Sequence, residues 1–335
     1  MNLTITVIID TYNYGRFIDK AAESAMNQDF PKDKYEILVI DDESTDDTAE
    51  RVRKYGDKIR YICQKNTGQA GVFNTGFENS KGEIICFLDA DDYWYPGKLK
   101  AVAAAFDKHP EVGLVQHPSD YVDENCSRMD KSFEVLPEFY DLPYFLNSNV
   151  SFYGTTNLSF RKSYLSKIMP EPLVMGNYAD QYLYWNMLFY AKVYNLNTAL
   201  AAHRIHGSNW YAKMYSSPKM LDMHITVLEA GNLSVRDNFK KFGITLLREP
   251  PALLDQDIEI LKEKVILYRL RFELFEALKA YSGIFRLKLS NFALFKSMTL
   301  FLALIHPNLY LWFFRLYSRK GFLLKIREKL MPFKA

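Results

Sequence analysis

The chain has 335 residues, of which 48% are hydrophobic and 24% are charged. This balance is typical of a folded globular protein and excludes a disordered chain. The formal net charge of +2 also argues against a nucleic-acid-binding protein, which usually carries a basic excess.

Over the first third of the chain, short apolar segments rich in β-branched residues alternate with segments that have the residue spacing of helices. The strand-like segments are residues 4–9, 35–40, 59–63, 83–88 and 112–116. Each gap between them contains a segment with apolar residues at helical spacing. This alternation predicts an α/β fold with a mostly parallel central sheet and helices on both faces. Sheets of this kind bind ligands at the carboxyl ends of their strands.

The remaining two thirds of the chain divide into two parts with different composition. Residues 120–172 are rich in Pro, Asn, Ser and Tyr, which predicts long loops shaped around a substrate. Residues 180–194 are predicted to form an aromatic helix. Beyond Pro250-Pro251 an apolar stripe from Ile258 to Phe275 predicts a helical extension. We therefore expect residues 1–118 and 119–249 to form two parts of one domain and residues 250–335 to be a C-terminal helical extension.

The cysteines and the N-terminus bear on the compartment. Cys63, Cys86 and Cys126 match no zinc-binding spacing, and three cysteines cannot pair completely. The first residues lack the basic and apolar pattern of a signal peptide. Both observations predict a cytoplasmic protein.

Three groups of acidic residues follow predicted strands. They are Asp10, Asp41-Asp42 and Asp89-Ala90-Asp91-Asp92. Any one of these residues alone is equally well explained as a turn former or a helix cap. Together they should lie at one sheet edge, where they would repel one another unless a cation or hydrogen-bond donors compensated their charge. Oxygen ligands suit a hard divalent ion, Mg²⁺ or Mn²⁺, which also bridges to phosphates.

The order of these motifs resembles that of a known enzyme family. The segments Val7-Ile8-Ile9-Asp10-Thr11-Tyr12-Asn13, Asp41-Asp42-Glu43-Ser44-Thr45-Asp46 and Phe87-Leu88-Asp89-Ala90-Asp91-Asp92 are similar to the signature blocks of family 2 glycosyltransferases with the GT-A fold. Asn66-Thr67-Gly68 and Asn74-Thr75-Gly76 resemble the block that links them. The resemblance is strong over residues 3–118, weaker to about residue 210 and absent beyond residue 250.

The resemblance implies that a nucleotide-sugar donor, with UDP as the expected nucleotide, binds at these blocks. Thr11 and Tyr12 would line the base pocket, with Tyr12 stacked on the base. Asp42 would accept a hydrogen bond from the base, and Asp89 would bind the ribose hydroxyls. Asp10 departs from the family pattern, which has an uncharged residue there, and this difference bears on the donor base.

The resemblance also implies a metal site. Asp91 would coordinate the divalent ion on the diphosphate, and Asp92 would support it or share that role. His206 lies in Arg204-Ile205-His206, which resembles a block whose histidine approaches the diphosphate. A structural role for His206 is an equally open alternative, because imidazole is a less typical Mg²⁺ ligand.

A downstream segment resembles the acceptor block of the family, in which a carboxylate at a helix start is the catalytic base. Asp180 is the matching residue, and Ala179 stands where the family usually has a second carboxylate. The alternative is that Asp180 only caps the helix. Inverting transfer needs such a base, because the acceptor hydroxyl must lose its proton as it attacks the anomeric carbon.

These inferences predict an inverting glycosyltransferase that acts on a glycan or lipid-linked acceptor. One alternative is a catalytically inactive sugar-binding or scaffolding protein on the same fold. Another is a nucleotidylyltransferase, which is disfavoured because no Gly-rich loop with Arg and Lys follows the first strand. No GxGxxG motif follows the first strand, which argues against a dinucleotide-dependent dehydrogenase, and the sequence contains no Walker A loop.

The C-terminal segment 292–316 is apolar but is interrupted by Lys296, Pro307 and Arg315, so it is a poor candidate for a membrane span. Basic residues follow it from Arg319 onward. An apolar face beside basic residues is typical of a helix in a membrane interface, attracted to anionic lipid. We expect either peripheral attachment to the inner membrane face or packing of these helices in the protein or against a second copy.

Overall fold

The computed structural model describes residues 3–207, 217–287 and 300–305. The chain divides into two compact units. The first consists of Met1–Trp210 and Leu233–Pro251, and the second consists of Tyr211–Asn232 and Ala252–Ala335.

The first unit contains two β-sheets. The strands of the larger sheet are β1 (Ile5–Thr11), β2 (Tyr35–Asp41), β3 (Arg60–Cys63), β4 (Ile84–Asp89), β6 (Val112–Gln116), β8 (Phe139–Tyr140), β9 (Leu158–Arg161) and β10 (Lys192–Asn195). The smaller sheet contains β5 (Tyr93–Trp94), β7 (Ser119–Val122) and β11 (Ala201–Arg204). The larger sheet has the order β3-β2-β1-β4-β9-β6-β10-β8, and the smaller has the order β5-β11-β7.

The larger sheet is parallel over its first four strands, as the βαβ pattern predicts. Strand β9 is antiparallel to both of its neighbours, β4 and β6. Strand β10 is parallel to β6, and β8 is antiparallel to β10. The expected α/β architecture is therefore confirmed, with antiparallel strands in one half of the sheet.

Helices cover both faces of this sheet. They are α1 (Gly15–Met26), α2 (Thr48–Arg53), α3 (Gly68–Asn79) and α4 (Lys98–Lys108). Consecutive residues Val7, Ile8 and Ile9 of β1 are all fully buried, which is the pattern of a strand covered on both faces. Helix α3 approaches this strand closely at Gly76, where an added Cβ would lie 2.7 Å from the Ile8 side chain. The apolar runs seen in the sequence are thus the core of the sheet.

The segment predicted as long loops is more structured than expected. It contains α5 (Leu142–Asn147), a 3₁₀ turn at Thr155–Asn157, strand β9 and α6 (Lys162–Leu165). The predicted helix over residues 180–194 is too long, since α7 covers Ala179–Met187 and residues 192–195 form β10. Pairing with β6 explains the difference, because the buried Asn195 side chain accepts a hydrogen bond from Gln116 at 2.7 Å.

Helices form the described part of the second unit. They are α9 (Pro251–Leu270), α10 (Leu274–Arg286), the short helix Phe301–Ile305 and the first part of α8 (Pro218–Lys241), which extends into the first unit. Their apolar core includes Leu221, Ile225, Val265 and Ile284.

The apolar stripe predicted to continue to Phe275 ends earlier. Phe272 has a positive φ of 63° between α9 and α10, and its side chain is 90% exposed. Phe275 is 76% exposed. None of the helices in the described residues is long and apolar enough to span a membrane. Most of segment 292–316 and the basic tail lie outside these residues.

Candidate active site

The carboxyl ends of β1 and β4 bring two carboxylates together. Asp10 and Asp89 are register partners on these adjacent parallel strands. Gln69 of α3 bridges them, because its Nε2 atom donates to Asp10 Oδ2 at 3.1 Å and to Asp89 Oδ1 at 3.0 Å. The other Asp10 oxygen is buried without a hydrogen-bond partner among the described residues.

The surroundings of these two buried carboxyls disfavour their charged forms. Burial raises the pKa of Asp10 to about 7, against the opposing effect of the Gln69 bond. Burial and the charges of Asp10, Asp92 and Asp91 raise the pKa of Asp89 well above its usual value. A cluster of this kind favours a bound cation or a shared proton.

Asp91 and Asp92, in the loop after β4, have different surroundings. Asp91 Oδ2 lies 2.9 Å from His206 Nε2, and both side chains are almost fully buried. The His206 ring packs on Phe17, with ring centroids 4.7 Å apart. Burial raises the pKa of Asp91 even though the His206 contact lowers it.

Asp92 is instead held by three groups of the protein. It accepts hydrogen bonds from the Arg204 backbone at 2.8 Å and from Thr156 Oγ1 at 2.6 Å, and His203 Nδ1 lies 3.1 Å from it. Its side chain is fully buried. These contacts join the loop after β4 to β11. The structure therefore brings Asp91 and His206 together, while Asp92 contacts Arg204, Thr156 and His203 instead.

Asp91 and His206 could supply only part of the ligand set of a divalent cation. No group of three or more His, Cys, Asp or Glu residues in the described part of the chain is arranged to hold a metal ion. Asp91 nonetheless offers a carboxylate whose pKa is raised by burial and by the neighbouring Asp92. An ion such as Mg²⁺ usually takes one or two carboxylates from the protein and completes its shell with phosphate oxygens and water.

The predicted nucleotide-binding residues lie around the ends of β1 and β2. The Asp42 carboxylate accepts hydrogen bonds from the Thr67 and Gly68 backbone and from Gln64, at 3.0, 2.8 and 2.8 Å. A carboxylate has about four acceptor positions, so one remains for a ligand. The Thr11 hydroxyl is buried without a partner among the described residues, and Tyr12 is 48% exposed.

The candidate base lies in the first turn of α7. The N-cap of this helix is Tyr178, and Asp180 is its second residue, so Asp180 is not the N-cap that the alternative required. Asp180 Oδ1 accepts the Gln181 N–H at 2.7 Å, and the Thr155 N–H also donates to this carboxylate. Burial raises the pKa of Asp180 to about 6, and its charge acts on Asp89.

This geometry agrees with the comparison of the chain to known proteins. Residues 6–169 match the family model described as Glycosyl transferase family 2. Residues 6–169 therefore form a glycosyltransferase family 2 domain. The resemblance of its sequence blocks to this family is thereby confirmed.

Two relatives illustrate the extent of the similarity. An uncharacterized glycosyltransferase of Nostoc sp. is 34% identical over 62% of this chain and 66% of the relative. The poly(ribitol-phosphate) beta-N-acetylglucosaminyltransferase TarS of Staphylococcus aureus is 37% identical over 32% of this chain and 19% of its own length. The matches thus span less than two thirds of these relatives.

Two solved structures share the fold of this chain. TarS residues 1–349 in complex with UDP-GlcNAc superpose with a TM-score of 0.54 at 19% identity, covering 84% of this chain and 90% of that one. A mannosyltransferase of Pyrobaculum calidifontis in complex with GDP-Man and Mn²⁺ gives a TM-score of 0.52 at 17% identity, covering 93% and 83%. These similarities confirm the GT-A fold.

Several residues that the sequence did not single out lie at the site. Gln69 bridges two carboxylates, and Thr155 and Thr156 contact the carboxylates of both predicted subsites. Neither oxygen of the buried Glu171 has a hydrogen-bond partner among the described residues, and burial together with Asp180 raises its pKa well above the usual value. The sequence could not predict the burial of Thr155, Thr156 and Glu171, because polar residues in a predicted loop are expected to be exposed.

Proposed function

We propose that this glycosyltransferase moves a sugar from a nucleotide-diphosphate donor, a UDP-sugar, to a hydroxyl of a glycan or lipid-linked acceptor with inversion. The observation that carries the proposal is the environment of Asp180. Its carboxyl is held by two backbone N–H groups, and it is close enough for its charge to act on Asp89 at the nucleotide end of the sheet.

In this reaction Asp180 is the general base. It accepts the proton of the acceptor hydroxyl while that oxygen attacks the anomeric carbon and the bond to the diphosphate breaks. A base works best when its pKa lies near the working pH, and burial moves the pKa of Asp180 from 3.8 to about 6. The bonds from Gln181 and Thr155 orient the carboxylate without adding a charge.

The nucleotide would bind across the ends of β1, β2 and β4. Tyr12 is exposed enough to stack on the base, and Thr11 and Asp42 each keep a hydrogen-bonding position for it. Asp89 would bind the ribose hydroxyls. The structure of TarS with UDP-GlcNAc supports UDP as the nucleotide to test first.

A divalent metal, Mn²⁺ or Mg²⁺, would be held by Asp91 and by His206, its partner in the structure. Asp92 would support this position through the loop it anchors. Such an ion neutralises charge on the departing diphosphate. The mannosyltransferase complex with GDP-Man and Mn²⁺ supports a metal requirement.

The test is release of free nucleotide from a panel of UDP-, GDP- and other nucleotide-sugars, with and without Mn²⁺ or Mg²⁺. We expect turnover with one donor, and a metal-dependent rise in melting temperature with the same donor. A rise in melting temperature with no turnover for any donor and acceptor would favour the inactive sugar-binding alternative. Release of sugar 1-phosphate together with the nucleoside triphosphate, when pyrophosphate is added, would favour a nucleotidylyltransferase.

We also propose that the protein is cytoplasmic and attaches peripherally to the inner membrane face through its second unit. Phe272, Phe275 and Leu278 are exposed on this unit, and the sequence that follows from Arg319 is basic. Apolar side chains beside basic residues favour binding to anionic lipid.

Flotation of the full chain with anionic and neutral vesicles tests this attachment. We expect binding to anionic vesicles at low salt and its loss in the double variant Phe272→Ser, Phe275→Ser. Leu247→Ser removes an equally exposed apolar side chain from the first unit and is the matched control. No binding, together with a concentration-dependent dimer that the double variant abolishes, would assign this face to self-association instead.

A further inference from the structure

The 3₁₀ turn Thr155–Asn157 occupies a central place in the first unit. It precedes β9, which lies between β4 and β6 in the larger sheet. Because β9 is antiparallel to β4, the start of β9 lies at the same sheet edge as the carboxyl end of β4. Thr155 and Thr156 are almost fully buried there.

The Thr156 hydroxyl contacts both acids of the donor-side loop. Its Oγ1 atom lies 2.6 Å from Asp92 Oδ2, and it lies 3.2 Å from both the backbone N and Oδ2 of Asp89. A hydroxyl has one hydrogen to donate and accepts through its lone pairs. It therefore donates to Asp92 at the shorter distance and accepts from the Asp89 N–H, which sets the spacing of the two residues.

The carbonyl oxygen of Thr156 is fixed from the opposite side. Lys98 Nζ and Trp94 Nε1 both donate to this oxygen at 2.9 Å. Lys98 is fully buried, and its ammonium lies 3.8 Å from the centroid of the Trp94 ring. Burial lowers the pKa of Lys98 to about 7, and its bond to the Thr156 carbonyl satisfies a donor that would be costly to bury alone.

The preceding residue contacts the acceptor side. The Thr155 N–H donates to the Asp180 carboxylate. Its hydroxyl oxygen lies 3.3 Å from Gln69 Nε2, the amide that also bridges Asp10 and Asp89. Two consecutive residues of one turn therefore contact the carboxylates of both predicted subsites.

We propose that Thr155 and Thr156 are positioning residues that hold Asp180 at a fixed place relative to Asp89 and Asp92, with Lys98 and Trp94 anchoring the turn. The proposal rests on the proposed function, because it concerns the alignment of acceptor base and nucleotide. Alignment of this kind contributes strongly to rate, and a displacement of about 1 Å can cost roughly a hundredfold.

The test compares Thr156→Val with Thr156→Ser in the full chain. Valine keeps the shape and removes the hydroxyl, whereas serine restores it. We expect Thr156→Val to lower kcat at least about tenfold with a smaller change in KM for the donor, and Thr156→Ser to recover most of kcat. Should the valine variant not fold, Thr156→Ala removes the hydroxyl without adding an apolar group.

Thr6→Val is the matched control. Thr6 is also fully buried in the same sheet, and its hydroxyl bonds Glu36 at the opposite end of β1. The control should lose a similar amount of thermal stability and keep kcat. Equal loss of stability with unchanged kcat in both valine variants would overturn the positioning role.

A second readout separates this proposal from the base assignment. Binding of UDP with Mn²⁺ is measured by calorimetry for wild type, Thr156→Val and Asp180→Asn. We expect weaker binding only in the threonine variant, because it alone alters the Asp89–Asp92 loop. If Asp180→Asn keeps wild-type turnover while Thr156→Val is impaired in binding and rate, the base assignment fails and the positioning of the acidic loop stands. Unchanged binding and turnover in Thr156→Val would reject the positioning proposal whatever the result for Asp180.

Discussion

His206 Nε2 lies 2.9 Å from Asp91 Oδ2, although 115 positions separate the two residues. The neighbouring Asp92 is paired with a different histidine, His203, at 3.1 Å. The adjacent residues Asp91 and Asp92 thus contact two different histidines at the end of β11. Asp92 also accepts a bond from the Arg204 backbone and is fully buried, whereas Asp91 contacts His206 and has a pKa that burial raises. The two acids should therefore respond differently to mutation.

Replacing Asp91 with Asn should remove metal-assisted turnover and leave the fold intact. The loss should be at least about a hundredfold in kcat, since metal stabilisation of a leaving diphosphate contributes several kcal/mol. Turnover is measured over a Mn²⁺ titration, and the melting temperature is measured in parallel. Wild-type rates with saturating metal would remove Asp91 from the metal site.

Asp92→Asn is the control at the adjacent position. Its carboxylate accepts from Arg204 and Thr156, so the amide should lower the free energy of unfolding by about 1–3 kcal/mol, the cost of an unsatisfied buried group. The Mn²⁺ concentration for half-maximal rate should change less than in Asp91→Asn. The reverse ranking would favour Asp92 as the principal ligand.

Asp180→Asn should lower kcat by roughly a hundredfold or more, which is the usual contribution of a positioned general base. Donor binding should stay nearly unchanged. Asp141→Asn is a matched control, because Asp141 caps α5 by accepting the Tyr144 N–H at 2.9 Å. A similar loss of activity in both variants would attribute the effect to helix ends rather than to proton transfer.

The pH dependence of wild-type turnover tests the same base. Burial raises the pKa of Asp180 to about 6, and only its ionised form accepts a proton. The rate should therefore rise as pH increases through about 6 and then level off. Asp180→Asn should lack this rise, and a wild-type profile that is flat between pH 5 and 7 would contradict the assignment.

Tyr12→Ala should weaken UDP binding, because the exposed ring is proposed to stack on the base. Base stacking on an aromatic side chain contributes about 1–3 kcal/mol, which corresponds to a roughly 5- to 150-fold change in Kd. Calorimetry with UDP and Mn²⁺ measures this change. Tyr12→Phe keeps the ring and should bind nearly as wild type, so equal affinities for all three proteins would exclude stacking.

Glu171 should make the protein less stable as pH rises. Burial raises its pKa well above 4.5, so the folded protein keeps a proton that the unfolded chain releases above that value. The unfolding free energy should then fall with increasing pH between 4.5 and the folded pKa. Glu171→Gln should remove this dependence, so its stability relative to wild type should increase from pH 4.5 upward and be constant below.

Urea unfolding at several pH values measures the difference between Glu171→Gln and wild type. Glu78→Gln replaces an exposed carboxyl on α3 and is the control for general charge effects. A difference that stays constant with pH for Glu171→Gln would show that this carboxyl is ionised in the folded protein.

The parallel half of the fold could be predicted because its strands are continuous apolar runs that end in acids. Ile84 to Leu88 is such a run, and it becomes β4 with Asp89 at its end. The different environments of Asp91 and Asp92 could not be predicted, because adjacent residues in a turn point to different neighbours. Burial of Lys98 was equally hidden, since a lysine in a helix is usually exposed. These features depend on contacts between segments distant in sequence.

The position of β9 affects how the chain reaches its folded state. Leu158–Arg161 separates β4 from β6, so both of these strands have an open edge until this later segment arrives. Apolar strands with unpaired edges are prone to associate with other chains. We therefore expect a fragment that ends before residue 158 to be insoluble rather than weakly active.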